Sequence, residues 1–116
     1  DFVAIHFKGS DVAAHDRQPV QKRDYIARVD AALGRFFERM GPRTENLRIV
    51  VTGDHGTSSL TGVHLVDPVP LLLGKWDPDA EPAEFSEQSA AHGVLGLIHE
   101  DEFADLLWSG LDTKQR

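Results

Sequence analysis

Apolar residues in this chain come in short blocks punctuated by glycine, proline and charge, and the spacing within each block predicts an element. Phe2 to Phe7 is mostly apolar with weak alternation, which predicts a first strand ending in the turn Lys8-Gly9-Ser10-Asp11. Pro19 marks the start of a helix whose apolar positions, Ile26, Val29, Leu33, Phe36 and Met40, form a stripe wide enough to pack on a sheet. Gly41-Pro42 stops it. Its other face, with Lys22, Arg23, Arg28, Arg35, Glu38 and Arg39, reads as solvated surface.

Asn46 to Thr52 contains the β-branched run Ile49-Val50-Val51 and predicts a buried second strand, which Gly53 ends. A polar, glycine-punctuated loop follows through Thr57 and Gly62 to His64. Asp67-Pro68-Val69-Pro70 leads into Leu71 to Gly74, a third short strand whose entry the prolines pin. Lys75 to Pro82 reads as a surface turn, Ala83 to Ala91 and Asp101 to Leu111 as helices, and Asp112 to Arg116 as a frayed tail. This order predicts an α/β fold in one domain, a layered and mostly parallel sheet flanked by helices, without internal repeat or linker.

Charge narrows the class of partner. Twelve basic against 19 acidic residues give a net charge of −7, which argues against nucleic acid and favours a cation. The chain of 116 residues has no cysteine, so thiolate metal sites, disulfides and cysteine nucleophiles are excluded. No apolar run approaches the roughly 20 residues that a membrane span needs. The chain opens on an apolar segment without an initiator methionine, and we read it as a fragment of something longer.

Candidate chemistry gathers where predicted strands end or begin. Asp54 and His55 stand side by side after the second strand, the position at which open α/β sheets bind ligands. Asp11 and His15 are four residues apart, which puts carboxylate and imidazole on one face if the segment is helical. His64 lies in the loop before the third strand and could complete a set. One histidine alone reads as core or surface; five such residues together point to a metal site of oxygen and nitrogen ligands, suited to zinc or manganese, or to magnesium where oxygens dominate.

The motifs also resemble a known family in their order. His6-Phe7-Lys8-Gly9-Ser10-Asp11-Val12-Ala13-Ala14-His15-Asp16 resembles the H-x-K-G-T-D-x-x-G-H-D segment of the archaeal-type cofactor-independent phosphoglycerate mutases, within the alkaline phosphatase superfamily. Val50 to Thr57 resembles that family's T-G-D-H-S-T segment, His64 to Pro70 its H-x-x-D-P-V-P segment, and Phe85-Ser86-Glu87 its F-x-E, with Gly93 to Leu97 matching a glycine-rich stretch. The resemblance implies the C-terminal part of a metal-binding catalytic domain in a cytoplasmic, glycolytic isomerase acting on a small phosphorylated substrate. It implies two divalent cations, one held by Asp11, His15 and His64 and the other by Asp54 and His55 with an aspartate and a serine nucleophile upstream of Asp1. Lys8 then becomes a substrate-binding residue, and no catalytic nucleophile lies in this chain.

Departures from the family pattern are Ala14 for glycine, Gly56 for serine and Leu65-Val66 for the more usual Ser-Gly. Every candidate ligand is kept, so the departures bear on the substrate more than on the metal, and a phosphatase- or sulfatase-like hydrolase or a non-catalytic metal-binding domain are the alternatives. His6 reads as a core histidine or as a hydrogen-bond partner to a ligand, His92 and His99 as surface, and Trp76 and Trp108 as packing residues. Thr57, Ser58 and Ser59 read as ordinary turn hydroxyls beside His55.

Overall fold

A computed structural model of the chain describes residues 1–75, 77, 79 and 83–109. Helix α1 (Gly9–His15) follows Lys8 directly, with Asp11 in its first turn where the helix dipole favours a carboxylate. It ends tightly. The Gln18 N–H reaches back to the Ala13 carbonyl (2.8 Å), Arg17 takes a positive φ of 55°, and Pro19 starts helix α2 (Pro19–Met40) with its ring-fixed φ. Small residues bring the two helices together: Ala13 and Ala14 are buried, and a Cβ on Gly9 would overlap the Tyr25 ring.

The expected start and stop of α2 are observed, with Gly41 at a φ of 50° ending it. Its inner face differs from the expected stripe. Ile26 and Phe36 are 51% and 45% exposed, while Lys22, Tyr25, Val29, Ala32, Leu33, Phe37 and Met40 are half-buried. The reason is the partner: among the described elements α2 packs chiefly on the short α1, whose Gly9 accepts Tyr25, rather than on a sheet.

A 3-10 helix, Gly41–Asn46, takes the first residue of the expected second strand, Leu47 and Arg48 follow in no regular element, and within the helix Thr44 donates to the Gly41 carbonyl at 2.8 Å. Strand β1 (Ile49–Thr52) is therefore shorter than expected. Strands β2 (Gly56–Thr57) and β3 (His64–Leu65) form a small hairpin-like pair within the expected loop, and β4 (Leu71–Gly74) falls where the third strand was placed.

The pairing corrects the expected topology. β1 and β4 are antiparallel, with Val50 opposite Leu73 and Thr52 opposite Leu71, and β2 and β3 are antiparallel, with Thr57 opposite His64. No mostly parallel layer is present among the described residues. A parallel pair needs a crossover, usually helical, whereas the stretch between β1 and β4 holds only the β2–β3 pair and turns. Residues 2–7, expected as a strand, form no regular element; Phe2, Val3 and Ile5 are exposed, and Phe2 stacks on Trp108 with ring centroids 5.7 Å apart. Apolar composition alone does not make a strand, which exists only through ladder bonds to a neighbour.

Helix α3 (Glu87–Ala91) starts later than expected because Ser86 caps it, its hydroxyl accepting the Ser89 N–H at 3.2 Å. Helix α4 (Glu100–Ser109) is fixed at its start by the Glu102 carboxylate, which accepts the His99 N–H at 3.0 Å, and near its end by Arg48, which donates to the Leu107 carbonyl at 2.8 Å. Trp76, the last two positions of the helix expected over Asp101 to Leu111 and the tail from Asp112 lie outside the described residues. No described helix is long and apolar enough to cross a membrane.

Candidate metal centre

Three separate segments of the sequence meet at one place. α1 presents Asp11 and His15 on a single face, the Gly53 turn after β1 delivers Asp54 and His55, and β3 carries His64 opposite Thr57. His15 Nε2 lies 3.4 Å from Asp11 Oδ1 and 3.0 Å from His64 Nε2, and His64 Nε2 is 3.8 Å from the same carboxylate oxygen. The His55 and His64 rings stack at 3.8 Å between centroids, and His55 Nε2 lies 3.5 Å from Asp54 Oδ2. Asp11, His55 and His64 each offer a ligand atom within 4.8 Å of the others.

Hydrogen bonds decide which atoms are donors to a cation. A backbone carbonyl can only accept, so His15 Nδ1 carries its hydrogen toward the Gly62 carbonyl at 2.7 Å, and His55 Nδ1 carries its own toward the Gly56 carbonyl at 3.3 Å. With hydrogen on Nδ1, each ring leaves its Nε2 as the atom that faces the cluster. The Nε2 atoms of His15 and His55, the His64 Nε2 and the carboxylate oxygens thus face one another at 3.0–3.8 Å, an arrangement that a shared proton, as in the His15–His64 contact, or a cation between them makes favourable. The donor set fits a divalent cation.

Electrostatics agree. The Thr57 hydroxyl donates to Asp11 Oδ1 at 2.7 Å and holds the Asp11 carboxyl below the ordinary value of 3.8, helped by the pull of His15, His55 and His64. Asp54 is also lowered, first by its own backbone N–H, then by the His55 ring and N–H and by His6. Both carboxylates stay ionised, as metal ligands must.

A family model described as the metalloenzyme superfamily matches residues 1–109. The chain belongs to the metalloenzyme superfamily. Among its curated relatives are the 2,3-bisphosphoglycerate-independent phosphoglycerate mutases of Methanosphaerula palustris, 38% identical over 97% of this chain and 26% of that protein, and of Pyrococcus furiosus, 36% identical over 100% and 28%. That of Picrophilus torridus is 38% identical over 84% of this chain and 23% of the relative. The chain therefore spans about a quarter of the length of these relatives. No solved structure matches it significantly.

All five residues expected to bind metal in this metalloenzyme chain fall in the one cluster, with a difference in grouping. The expected triad is Asp11, His15 and His64, whereas the triad within common reach is Asp11, His55 and His64, and His15 is tied in through its 3.0 Å contact with His64. Lys8 sits exposed just before α1, and among the described residues its ammonium makes no contact with the cluster. His6 is exposed near enough to Asp54 to act on its charge, so it is not a core histidine. His92 donates to the Gln88 carbonyl at 2.9 Å, and His99 serves the start of α4 through its backbone; neither joins the cluster. Thr57, read from the sequence as an ordinary turn hydroxyl, and Gly62, read as a loop glycine, both touch the cluster. The period-two spacing of His55 and Thr57 was the available signal that both side chains share a side of the strand.

An open cleft of ≈ 1620 Å³ adjoins this centre, lined by Asp54 and His55 at one end and by Val69, Leu72, Phe85 and Leu97 elsewhere.

Proposed function

We propose that this chain is the metal-binding part of an enzyme that interconverts 3-phosphoglycerate and 2-phosphoglycerate through a phosphoserine. The nucleophilic serine lies on residues upstream of Asp1, and two divalent cations, manganese or zinc, are shared between the chain and that upstream part. One observation carries the reading: five oxygen and nitrogen donors converge beside an open cleft in a metalloenzyme-superfamily chain whose relatives bear the mutase name.

In this reading Asp11, His15 and His64 hold one cation, while Asp54 and His55 supply half the ligands of the other. Bound cations would neutralise charge on the phosphoryl oxygens and ease ionisation of the attacking hydroxyl, the main demands of phosphoryl transfer. The chain's own residues prepare for this. Gly62 and Gly56 fix the imidazole tautomers, and the ionised Asp11 and Asp54 balance the cation charge. Lys8 is assigned to a phosphate of the substrate, which has to draw it inward.

The test is product analysis on the intact enzyme with 3-phosphoglycerate. Formation of 2-phosphoglycerate without added bisphosphoglycerate, abolished by chelation and by His64→Ala, is expected. Release of inorganic phosphate instead would identify a hydrolase. The 116-residue chain alone should give no turnover, because it contributes only part of the second cation's ligands and no nucleophile; robust mutase activity from it would overturn the proposal.

A further inference from the structure

Thr57 is the buried residue of the centre, 5% exposed, and it touches both halves of the ligand set. Its Oγ1 lies 2.7 Å from Asp11 Oδ1 and 3.2 Å from His55 Nδ1. The polarity of this relay is determined by its ends. An ionised carboxylate only accepts, so the hydroxyl hydrogen goes to Asp11; His55 Nδ1 already points its hydrogen at the Gly56 carbonyl, so the hydroxyl oxygen receives a share of that hydrogen. One hydroxyl therefore orients a carboxylate and, together with the Gly56 carbonyl, holds the hydrogen of His55 on Nδ1.

We propose that Thr57 is a positioning residue that couples the two half-sites, aiming Asp11 at one cation while keeping the His55 Nε2 lone pair free for the other. The inference rests on the two-cation reading and extends it to a residue that is no ligand. Its backbone is anchored independently: the Thr57 carbonyl accepts the Lys22 ammonium from α2 at 2.7 Å, and the ladder holds Thr57 opposite His64. A change at the side chain alone should thus leave the strand in place. Valine matches threonine in shape and removes the hydroxyl; serine keeps the hydroxyl and removes the methyl.

The experiment compares the unaltered 116-residue chain with Thr57→Val and Thr57→Ser, each first checked for folding by far-UV circular dichroism, with Thr57→Ala as the substitute if valine disturbs the buried pocket. Zinc affinity is measured by competition titration, and the His55 tautomer by imidazole 15N shifts in the metal-free chain. Loss of a partner one step removed from a ligand typically weakens metal binding by about 10–100-fold, and that loss is expected for Thr57→Val, while Thr57→Ser stays within about threefold of the unaltered chain. The valine variant should also show a larger fraction of His55 with hydrogen on Nε2. Unchanged affinity in Thr57→Val, or a serine variant as weak as the valine one, would overturn the proposal. If the unaltered chain takes up no zinc, the affinity comparison moves to the intact enzyme, where absence of zinc uptake would overturn the two-cation reading; unchanged His55 shifts in Thr57→Val sink the inference in either case.

Discussion

His15 shows how one residue joins a sequence pattern to a chemical role. Its place four residues after Asp11 on α1 brings Nε2 to 3.4 Å from that carboxylate, and its Nδ1 is committed to the Gly62 carbonyl. If His15 holds the cation as proposed, removing the ring deletes a ligand outright, so His15→Ala should weaken divalent binding by more than the roughly 100-fold upper range for outer partners, read as a missing event in calorimetric titration with zinc. Asp11 carries a separate prediction. Its carboxyl is lowered in the folded chain, so the unfolded state binds the proton more tightly, and the stability it contributes is fully present above the ordinary value of 3.8 and lost as pH falls through the lower folded value. Urea midpoints followed from about pH 5 downward should fall more steeply for the metal-free chain than for Asp11→Asn. The candidate ligands were legible from the sequence because carboxylates and imidazoles at helical spacing or beside a strand-ending glycine are rare enough to stand out. Thr57 and Gly62 were not, because a hydroxyl or a carbonyl acquires its role only from what stands 47 or so residues away.

At the level of elements, glycines separate what packing allows from what propensity prefers. Gly34 sits inside α2 with open space where a Cβ would go, so Gly34→Ala should raise stability by roughly 0.5–1 kcal/mol through helix propensity alone. Gly9 lies against Tyr25, and Gly9→Ala should cost about 1–3 kcal/mol as the ring is pushed from α1. Thermal or urea unfolding of the two variants reads opposite signs, and a matching sign would show that α1 and α2 do not meet as described. Gly62 combines both effects: its φ of +72° disfavours a side chain, and a Cβ would come 2.9 Å from the His15 carbonyl oxygen. Gly62→Ala should therefore loosen the β2–β3 turn and the His15 ring together. The bounds of α2, set by Pro19 and Gly41, and the leucine run of strand β4 followed from the sequence, since these residues act locally. Strand pairing did not follow, since Phe2 to Phe7 has the composition of a strand but no neighbour among the described residues, and β2 and β3 are too short for alternation to reveal them.

For the molecule as a whole, burial and metal chemistry have to be weighed together. Among the described residues the buried apolar side chains are Ala13 and Ala14, whereas Phe2, Val3, Ile5, Val66, Val94, Leu97 and Trp108 are all well exposed. Packing of that kind supplies little of the stability that larger cores provide. The cluster of candidate ligands, by contrast, ties α1 to the β2–β3 pair across 46 to 49 residues of chain, through Thr57 to Asp11 and His64 to His15. A cation seated there would bind the folded arrangement and not the open chain, so its binding energy adds to folding. At a free concentration about 100 times the dissociation constant this linkage amounts to about 2.7 kcal/mol. Urea unfolding of the 116-residue chain with and without zinc should show an increment of that order, reversed by chelator, and nearly absent in His64→Ala, which removes the β3 end of the tie. An equal increment in the variant would mean that zinc acts elsewhere, and the convergence of α1, β1 and β3 would then be a feature of packing alone.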